Sequence, residues 1–370
     1  MLPPGPPRLP IIGNIHQVGK LPHRSFSDLS RTYGPIMRLK FGRLNTVIIT
    51  SSEAAREVLR THDHILSGRM SPNAVRSINH HKVSVAWIHP SSARWRLLRK
   101  LSVTHLFSPQ RIEATKALRM KKVQELEKFM DESSKREEAV DISRASFIAT
   151  LNIISNILFS VDISSYGSGK SNGFHDSIIG VMEAAGSPDL ANFFPFLGAL
   201  DLQGTSKKMT LCTGKLFKVF RGFIDTKTAE KSLRKNPKEA STSDFLDALL
   251  DEAEPDNNDI EHLLLVLVNV WAIGRDPDVW ENPAQFEPER FLGKETDVKG
   301  KDYELTPFGA GRRICPGLPL AVKMVSLMLV SLLYSFDWKL PNTIDMDETF
   351  GISLHKANSL NAVPVKKNRH

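Results

Sequence analysis

Cysteine is scarce in this chain of 370 residues, which holds Cys212 and Cys315 far apart in the sequence. Two distant cysteines exclude a disulfide framework and cannot supply the ligands of an all-cysteine iron–sulfur cluster. No Cys/His spacing is typical of structural zinc, and we interpret the pair His80–His81 as a solvated loop. These absences favour a reducing compartment.

Long apolar segments are equally rare. Met1 is followed at once by a proline-rich run, so neither a signal peptide nor a membrane anchor is expected at this end. The one long apolar run, Leu318 to Phe336, carries Lys323 and three serines. This composition predicts a buried helix rather than a bilayer span.

The overall composition is that of a folded protein, with 41% hydrophobic, 24% charged and 8% aromatic residues. Lys and Arg number 49 against 41 Asp and Glu. This basic balance favours an acidic partner or an anionic membrane surface. No nucleic-acid partner is expected.

Hydrophobic periodicity predicts a mainly α-helical protein with small β-sheets. The run Leu2–Pro10 should be an extended strap, and after Pro277 a coil rich in Pro, Gly and aromatics should lead to the last helix. The predicted helices are Ser25–Tyr33, Ser51–Arg60, a long one from Ser108–Pro109, Ser146–Ser160, Lys207–Lys235 and Asp244–Leu265, and the predicted strands are Ile36–Lys40 and Thr46–Thr50. Met120, Val123, Leu126 and Met130 should form the buried stripe of the long helix.

A glycine-rich loop, Phe308 to Gly317, carries the strongest chemical signal. Glycines let the backbone approach a flat ligand, and a cysteine where a helix begins has its thiolate stabilised by backbone N–H groups. Arg313 is placed to bind a carboxylate, and Phe308 is placed to shield the sulfur from water. A lone cysteine is usually a small buried hydrophobe, so the interpretation depends on the whole string.

That string matches the haem-binding signature Phe-x-x-Gly-x-Arg-x-Cys-x-Gly of the cytochromes P450. The fixed positions are Phe308, Gly311, Arg313, Cys315 and Gly317. Other segments resemble the same family: the Pro-rich opening resembles its hinge, Trp95 to Lys100 its helix at one haem edge, Phe286 to Phe291 its Pro-Glu-Arg-Phe segment, and Phe350 to Pro364 its C-terminal hairpin.

The resemblance implies the cytochrome P450 fold, with residues 1–20 as hinge and 21–370 as a single haem domain. It implies haem b (iron protoporphyrin IX) with Cys315 as iron ligand and catalytic centre, and Arg313, Trp95 and Arg99 at the propionates. Trp95 and Arg99 are four residues apart and share one helix face. The family site also includes Phe308, Gly311 and Gly317.

Two family hallmarks are missing from the sequence. No Ala/Gly-Gly-x-Asp/Glu-Thr-Thr/Ser string, which supplies the proton-delivering acid and alcohol, is found. The family's Glu-x-x-Arg pair is also absent from its place, and we treat the matches at Glu53–Arg56, Glu57–Arg60 and Glu287–Arg290 as chance. We therefore predict an internal deletion at Leu265–Val266, which divides the haem domain into 21–265 and 266–370. Arg290 is expected to lack its partners, at a cost of several kcal/mol if buried.

The resemblance implies a monooxygenase that inserts one oxygen atom from O2 into a small lipophilic substrate, with electrons from an NADPH-dependent reductase. The sequence as a whole most resembles the plant branch of the family that includes geraniol and terpenoid hydroxylases. Substrate contacts are expected in Ser71–Ala86 and Phe350–Leu360. A basic cluster has two interpretations, a docking surface for the reductase or an ordinary solvated face. Its members are Arg94, Arg96, Arg99, Lys100 and Arg312.

By family, the expected location is the cytosolic face of the endoplasmic reticulum membrane, with this anchorless chain peripheral or cytosolic. The alternative hypothesis is non-enzymatic. In it, the chain is a truncated form from alternative splicing or a faulty gene model, with impaired or no haem binding.

Overall fold

The computed structural model describes residues 3–167, 173–233, 264–341 and 343–368. Its α-helices are α1 Pro22–Tyr33, α2 Ser52–Arg56, α3 Asp63–Leu66, α4 Asn73–Ser77, α5 Ala93–Leu101, α6 Pro109–Ala114, α7 Lys116–Lys135, α8 Ile142–Phe159, α9 Gly173–Gly186, α10 Leu190–Phe193, α11 Thr205–Leu233, α12 Val270–Ile273 and α13 Leu318–Ser335. Its strands are β1 Ile36–Phe41, β2 Leu44–Ile49, β3 Val140–Asp141, β4 Leu264–Val268, β5 Phe336–Lys339, β6 Glu348–Thr349, β7 His355–Lys356 and β8 Asn361–Lys366. The fold is mainly helical with small sheets, as predicted.

Two compact units divide the chain. The first combines 1–96, 185–207 and 256–315, and the second combines 97–184, 208–255 and 316–370. Short single-turn helices complete them, namely 3-10 turns at Ile15–Gln17, His80–Lys82, Pro195–Leu200, Pro288–Phe291 and Gly311–Arg313, and π turns at Glu57–Thr61 and Ser102–Leu106.

The first unit is built on the sheet β1-β2-β4. The two predicted strands are found as β1 and β2, which form an antiparallel hairpin around Gly42, and β4 pairs parallel to β2. Alternate residues of the hairpin are buried, which puts Met37, Leu39 and Ile48 in one core with Phe26 of α1. The alternation of apolar and polar residues in the sequence therefore predicted these two strands correctly.

The proline-rich strap lies along the open edge of β1. The N–H of Arg38 donates to the carbonyl of Pro4 at 2.8 Å, and the N–H of Asn14 donates to the carbonyl of Lys40 at 2.6 Å. Gly5 is required here, because a Cβ at this position would lie 2.0 Å from the Arg38 carbonyl oxygen. The extended strap expected from the sequence is confirmed, and it covers a strand edge that would otherwise be unpaired.

The second unit packs α7, α8 and α13 together. Val123 of α7, Ile153 of α8 and Met324 of α13 meet in one core cluster. The sheet β3-β8-β5 and the hairpin β6-β7 accompany these helices.

The long helix from Pro109 is interrupted at Thr115. Arg119 stabilises this break, because its guanidinium donates to the carbonyl of Ile112 and to the hydroxyl of Thr115. Met120 was expected in the buried stripe, but it is 46% exposed. It precedes Leu126 by six positions, which places it about a third of a turn away around the helix.

Two further expectations differ from the structure. Leu264 and Leu265, predicted to end a helix, lie in strand β4, and most of the predicted helix Asp244–Leu265 lies outside the described residues. α13 forms where the apolar run predicts it, yet only one of its faces is buried. Among the described residues, α8 and α13 are long and apolar enough to cross a bilayer, a weak indication for helices that also pack in a core.

Candidate functional site

The loop that carries Cys315 is closed by a backbone hydrogen bond. The N–H of Cys315 donates to the carbonyl of Phe308 at 3.0 Å. Gly309 and Gly311 have φ of +71° and +65°, the left-handed region in which a side chain is strained. A Cβ on Gly311 would lie 2.1 Å from the Leu59 carbonyl oxygen, whereas one on Gly309 would meet nothing within 4 Å.

Ala310 anchors the loop in the core of the first unit. It is 3% exposed and belongs to a cluster with Ile49, Ala55, Ile273 and Tyr303. The loop therefore lies against the sheet and against the segment that follows α2.

Arg312 ties the same loop to α3. Its backbone N–H donates to Oδ2 of Asp63 at 3.1 Å, and its Nε donates to Oδ1 at 3.2 Å. The charge of Arg312 is thus paired within the fold, which leaves less of it for an acidic partner than the sequence indicates.

Arg313 points into a set of backbone carbonyls. Nε donates to Ser67 at 3.0 Å, Nη1 to Val85 at 3.0 Å and Ala86 at 3.4 Å, and Nη2 to Ile88 at 2.6 Å. The guanidinium thereby fixes the segment before α5 against the cysteine loop. Hydrogen bonds from a charged donor are among the stronger ones in proteins.

Trp95 lies beside this arginine. Cζ of Arg313 is 5.6 Å from the centre of the indole ring, and the indole Nε1–H donates to the Val85 carbonyl at 3.1 Å. Trp95 is 8% exposed, and Arg99 follows one turn later on α5. The structure therefore brings together Trp95 and Arg313, two of the residues predicted to hold haem propionates.

Cys315 itself is a free, half-buried thiol. It stands three residues before α13, and Gly317 occupies the N-cap of that helix. Phe308 is half-buried.

The donor set fits a haem. The free thiol of Cys315 suits an iron ligand. The open space beside Gly309 suits a flat macrocycle, and the guanidinium of Arg313 beside the indole of Trp95 suits its carboxylates. Arg313 and Trp95 would take up carboxylates by exchanging some of their present carbonyl partners. Two sets of roles stay predictions. The first is the haem-site role of Phe308, Gly311, Cys315 and Gly317, and the second is the contact of Trp95, Arg99 and Arg313 with the propionates.

Arg290 was expected to lack partners, and this expectation is wrong. Its side chain is 14% exposed, and Nη2 lies 3.3 Å from Oε2 of Glu287. Nε donates to the Glu287 carbonyl at 3.1 Å, and Nη2 also donates to the carbonyls of Asn282 and Gln285 at 3.1 and 3.2 Å. The coil around the Pro-Glu-Arg-Phe segment satisfies its own arginine, so Glu287–Arg290 is a local ion pair.

A cavity of about 300 Å³ opens beside this coil, lined mainly by apolar side chains such as Trp280, Phe286, Phe291 and Leu305. Phe286 at its rim is 94% exposed. None of the lining residues belongs to the cysteine loop, so this cavity is separate from the candidate haem site.

His80 and His81 lie in a 3-10 turn rather than an open loop. Partial burial holds the pKa of His80 below its ordinary value. No group of three or more metal-ligating side chains occurs in the part of the chain that the structure describes.

The family is shown by comparison with known proteins. The cytochrome P450 family model matches residues 3–265 and 256–360. The chain belongs to this family, whose members are haem-thiolate monooxygenases.

Particular relatives are plant enzymes. Cytochrome P450 76C4 of Arabidopsis thaliana is 58% identical over 470 aligned positions, covering 99% of this chain and 92% of the relative. Geraniol 8-hydroxylases of Swertia mussotii and Catharanthus roseus are 37% and 38% identical, covering 98% of this chain and 93% and 94% of the relatives.

These alignments also confirm that the chain is shorter than its relatives. It has 370 residues against 470 aligned positions, so roughly a hundred positions of the relative have no counterpart. The two matches of the family model meet within 256–265, next to the predicted junction. Leu265 and Val266 are consecutive residues of β4 and pair with Thr46 and Val47, so the structure continues across this junction as an ordinary strand.

Sequence reasoning missed the residues that hold the loop in place, namely Asp63, Ser67 and the carbonyls of Val85 to Ile88. They precede Arg312 and Arg313 by 225 to 249 positions. Most act through backbone oxygens, which every residue has, so no side-chain pattern marks them.

Proposed function

We propose that this chain is a haem-thiolate monooxygenase that hydroxylates a small apolar substrate, with a terpenoid alcohol as the leading candidate. Cys315 is the iron ligand in this proposal. The observation that carries it is a free thiol at the end of a glycine loop whose remaining residues are fixed by the core, by Asp63 and by backbone carbonyls. The geraniol 8-hydroxylases among the relatives support the substrate class.

The residues have distinct roles. A bound haem supplies the activation of O2, and the thiolate donates electron density to its iron. Arg313 and Trp95 orient the macrocycle by its carboxylates, with Arg99 on the next turn of α5. Ala310 and Asp63 hold the loop, so the sulfur stays at one position.

Electrons come from a separate NADPH-dependent reductase in this proposal. Arg96 and Lys100 are exposed on α5, whereas Arg94 is half-buried. The exposed pair suits an acidic partner. Arg312 contributes less because Asp63 pairs with it at 3.2 Å.

The second candidate is a non-catalytic chain. The roughly hundred absent positions favour it, since the sequence lacks the family's acid and alcohol, and general-acid assistance typically contributes about 10²–10⁴-fold to a rate. This candidate keeps the haem loop and predicts haem binding, if any, without turnover.

Turnover separates the two candidates. Purified chain is reconstituted with haem, reductase, NADPH and geraniol, and the product is analysed by mass spectrometry with ¹⁸O2. The enzyme predicts a product that carries one labelled oxygen atom and that disappears in Cys315→Ala. Haem uptake without labelled product from geraniol refutes geraniol as the substrate; haem uptake without labelled product from a panel of small terpenoid alcohols refutes the enzyme and leaves the non-catalytic candidate standing.

A further inference from the structure

A turn that precedes the cysteine loop in the first unit packs against that loop. The N–H of Asp297 donates to Oδ2 of Asp302 at 2.7 Å, which closes the turn. We call residues 297–303 the backing turn. Gly300 lies within it and has a φ of +77°, in the left-handed region that glycine adopts without strain.

Gly300 is the point of contact with the cysteine loop. A Cβ at this position would lie 2.8 Å from Cδ1 of Ile314, 3.1 Å from the carbonyl oxygen of Gly309 and 3.3 Å from Cα of Ala310. The terminal methyl group of Ile314 can rotate away, but the other two atoms belong to the backbone of the loop. The turn can therefore approach the loop this closely only because Gly300 has no side chain.

Two more contacts join the backing turn to the loop. Tyr303 is 5% exposed and packs with Ala310 in one core cluster. The carbonyl of Thr306, in the short connection between turn and loop, accepts a hydrogen bond from the N–H of Gly309 at 3.0 Å. Packing and hydrogen bonding thus couple the two segments, so a displacement of the turn displaces the loop.

The contacts of Gly300 lie on both sides of the hydrogen bond that closes the cysteine loop. In that bond the N–H of Cys315 donates to the carbonyl of Phe308 at 3.0 Å. Gly309 follows Phe308 in the chain, and Ile314 precedes Cys315. Gly300 therefore packs against the neighbours of both partners, and pressure at this place reaches the closing bond directly.

We propose that the backing turn positions the sulfur of Cys315, with Gly300 as the contact and Asp302 as the group that keeps the turn closed. Both act through the cysteine loop, so they are positioning residues. The inference rests on the proposed role of Cys315 as iron ligand, because a ligand must be held at one place by the residues around it.

Gly300→Ala tests the contact, and Gly293→Ala is the matched control. Gly293 has a φ of +72°, and a Cβ there would meet nothing within 4 Å. Both variants therefore carry the same backbone strain, but only Gly300→Ala presses on the cysteine loop.

Alkylation of the haem-free chain with iodoacetamide reports the position of the sulfur without haem or turnover. Peptide mass mapping follows Cys315 separately from Cys212. In Gly300→Ala, Cys315 should react about tenfold faster than in wild type, because a half-buried thiol reacts when its loop opens. In Gly293→Ala it should react like wild type.

The carbon monoxide difference spectrum of the reduced, haem-loaded chain is the second readout. Gly300→Ala should lose most of the long-wavelength Soret band of thiolate-ligated haem, and Gly293→Ala should keep it. A glycine with a merely structural role would give the two variants the same spectrum.

Asp302→Ala keeps the test decisive if Gly300→Ala does not fold. It opens the backing turn without adding an atom, and it should show the same faster alkylation and the same weaker band. The control is Asp276→Ala, because Oδ1 of Asp276 accepts the N–H of Asp278 at 3.0 Å in a different turn of the same unit.

Equal alkylation rates, or equal spectra, in the two variants of a folded pair overturn the proposal. A wild type without the long-wavelength band refutes the proposed function instead. The alkylation rates of the haem-free chain still decide in that case whether the backing turn positions the sulfur.

Discussion

Gly311→Ala is the sharpest test of how the cysteine loop is held. The new Cβ would lie 2.1 Å from the Leu59 carbonyl oxygen, so the loop must move away from the segment it packs against. The left-handed φ of +65° adds about 1–2 kcal/mol for a residue with a Cβ. Forcing atoms into a packed contact adds about 1–3 kcal/mol. The expected loss in the free energy of unfolding is therefore about 2–5 kcal/mol.

Gly309→Ala is the matched control. Its φ of +71° carries the same backbone strain, but its Cβ meets no atom within 4 Å. It should cost only about 1–2 kcal/mol. Urea unfolding followed by tryptophan fluorescence, with equal m-values required of both variants, measures the difference. If the two variants lose the same stability, the close approach to Leu59 does not hold the loop and the reasoning fails.

Two charge substitutions test other contacts. Lys135 and then Lys366 hold the pKa of Asp131 below its usual range through hydrogen bonds, so this carboxylate stabilises the fold above about pH 4, and the contribution disappears as the pH falls through the lowered pKa. Asp131→Asn should cost about 1 kcal/mol at pH 7, and this cost should shrink as the pH falls below about 4. A urea midpoint equal to that of wild type at pH 7, or a difference that does not shrink on acidification, would contradict this. Asp63→Asn should cost about 0.5–1 kcal/mol, because Arg312 is half-exposed and loses an ionic partner, and the loss should shrink in 1 M salt. A loss that is independent of salt would show that the ion pair is not its source.

Prediction from sequence succeeded where the pattern is local. The hairpin of β1 and β2, the strap and the apolar α13 follow from spacing that neighbouring residues share. Ser51, at the start of the predicted helix Ser51–Arg60, caps α2 by accepting a hydrogen bond from the N–H of Ala54. The same local logic identified the cysteine loop, because its signature is contiguous.

Long-range contacts explain what prediction missed. Leu264 and Leu265 continue an apolar helical pattern in sequence, yet pairing with β2 makes them a strand. Arg290 was predicted to be unpaired because its family partners are absent, but carbonyls within its own coil replace them. Arg313 shows the same effect, since the oxygens it meets belong to backbone 225 to 246 positions earlier. Every residue has a backbone carbonyl, so the residue types do not show which carbonyls will accept these hydrogen bonds.

Carbon monoxide difference spectroscopy on the reduced, haem-reconstituted chain tests most directly whether the sulfur of Cys315 binds iron. The account predicts the long-wavelength Soret band of thiolate-ligated haem in wild type and its loss in Cys315→Ala, whose far-UV circular dichroism should be unchanged. The same band in Cys315→Ala, or no haem uptake by wild type under any condition, would contradict it.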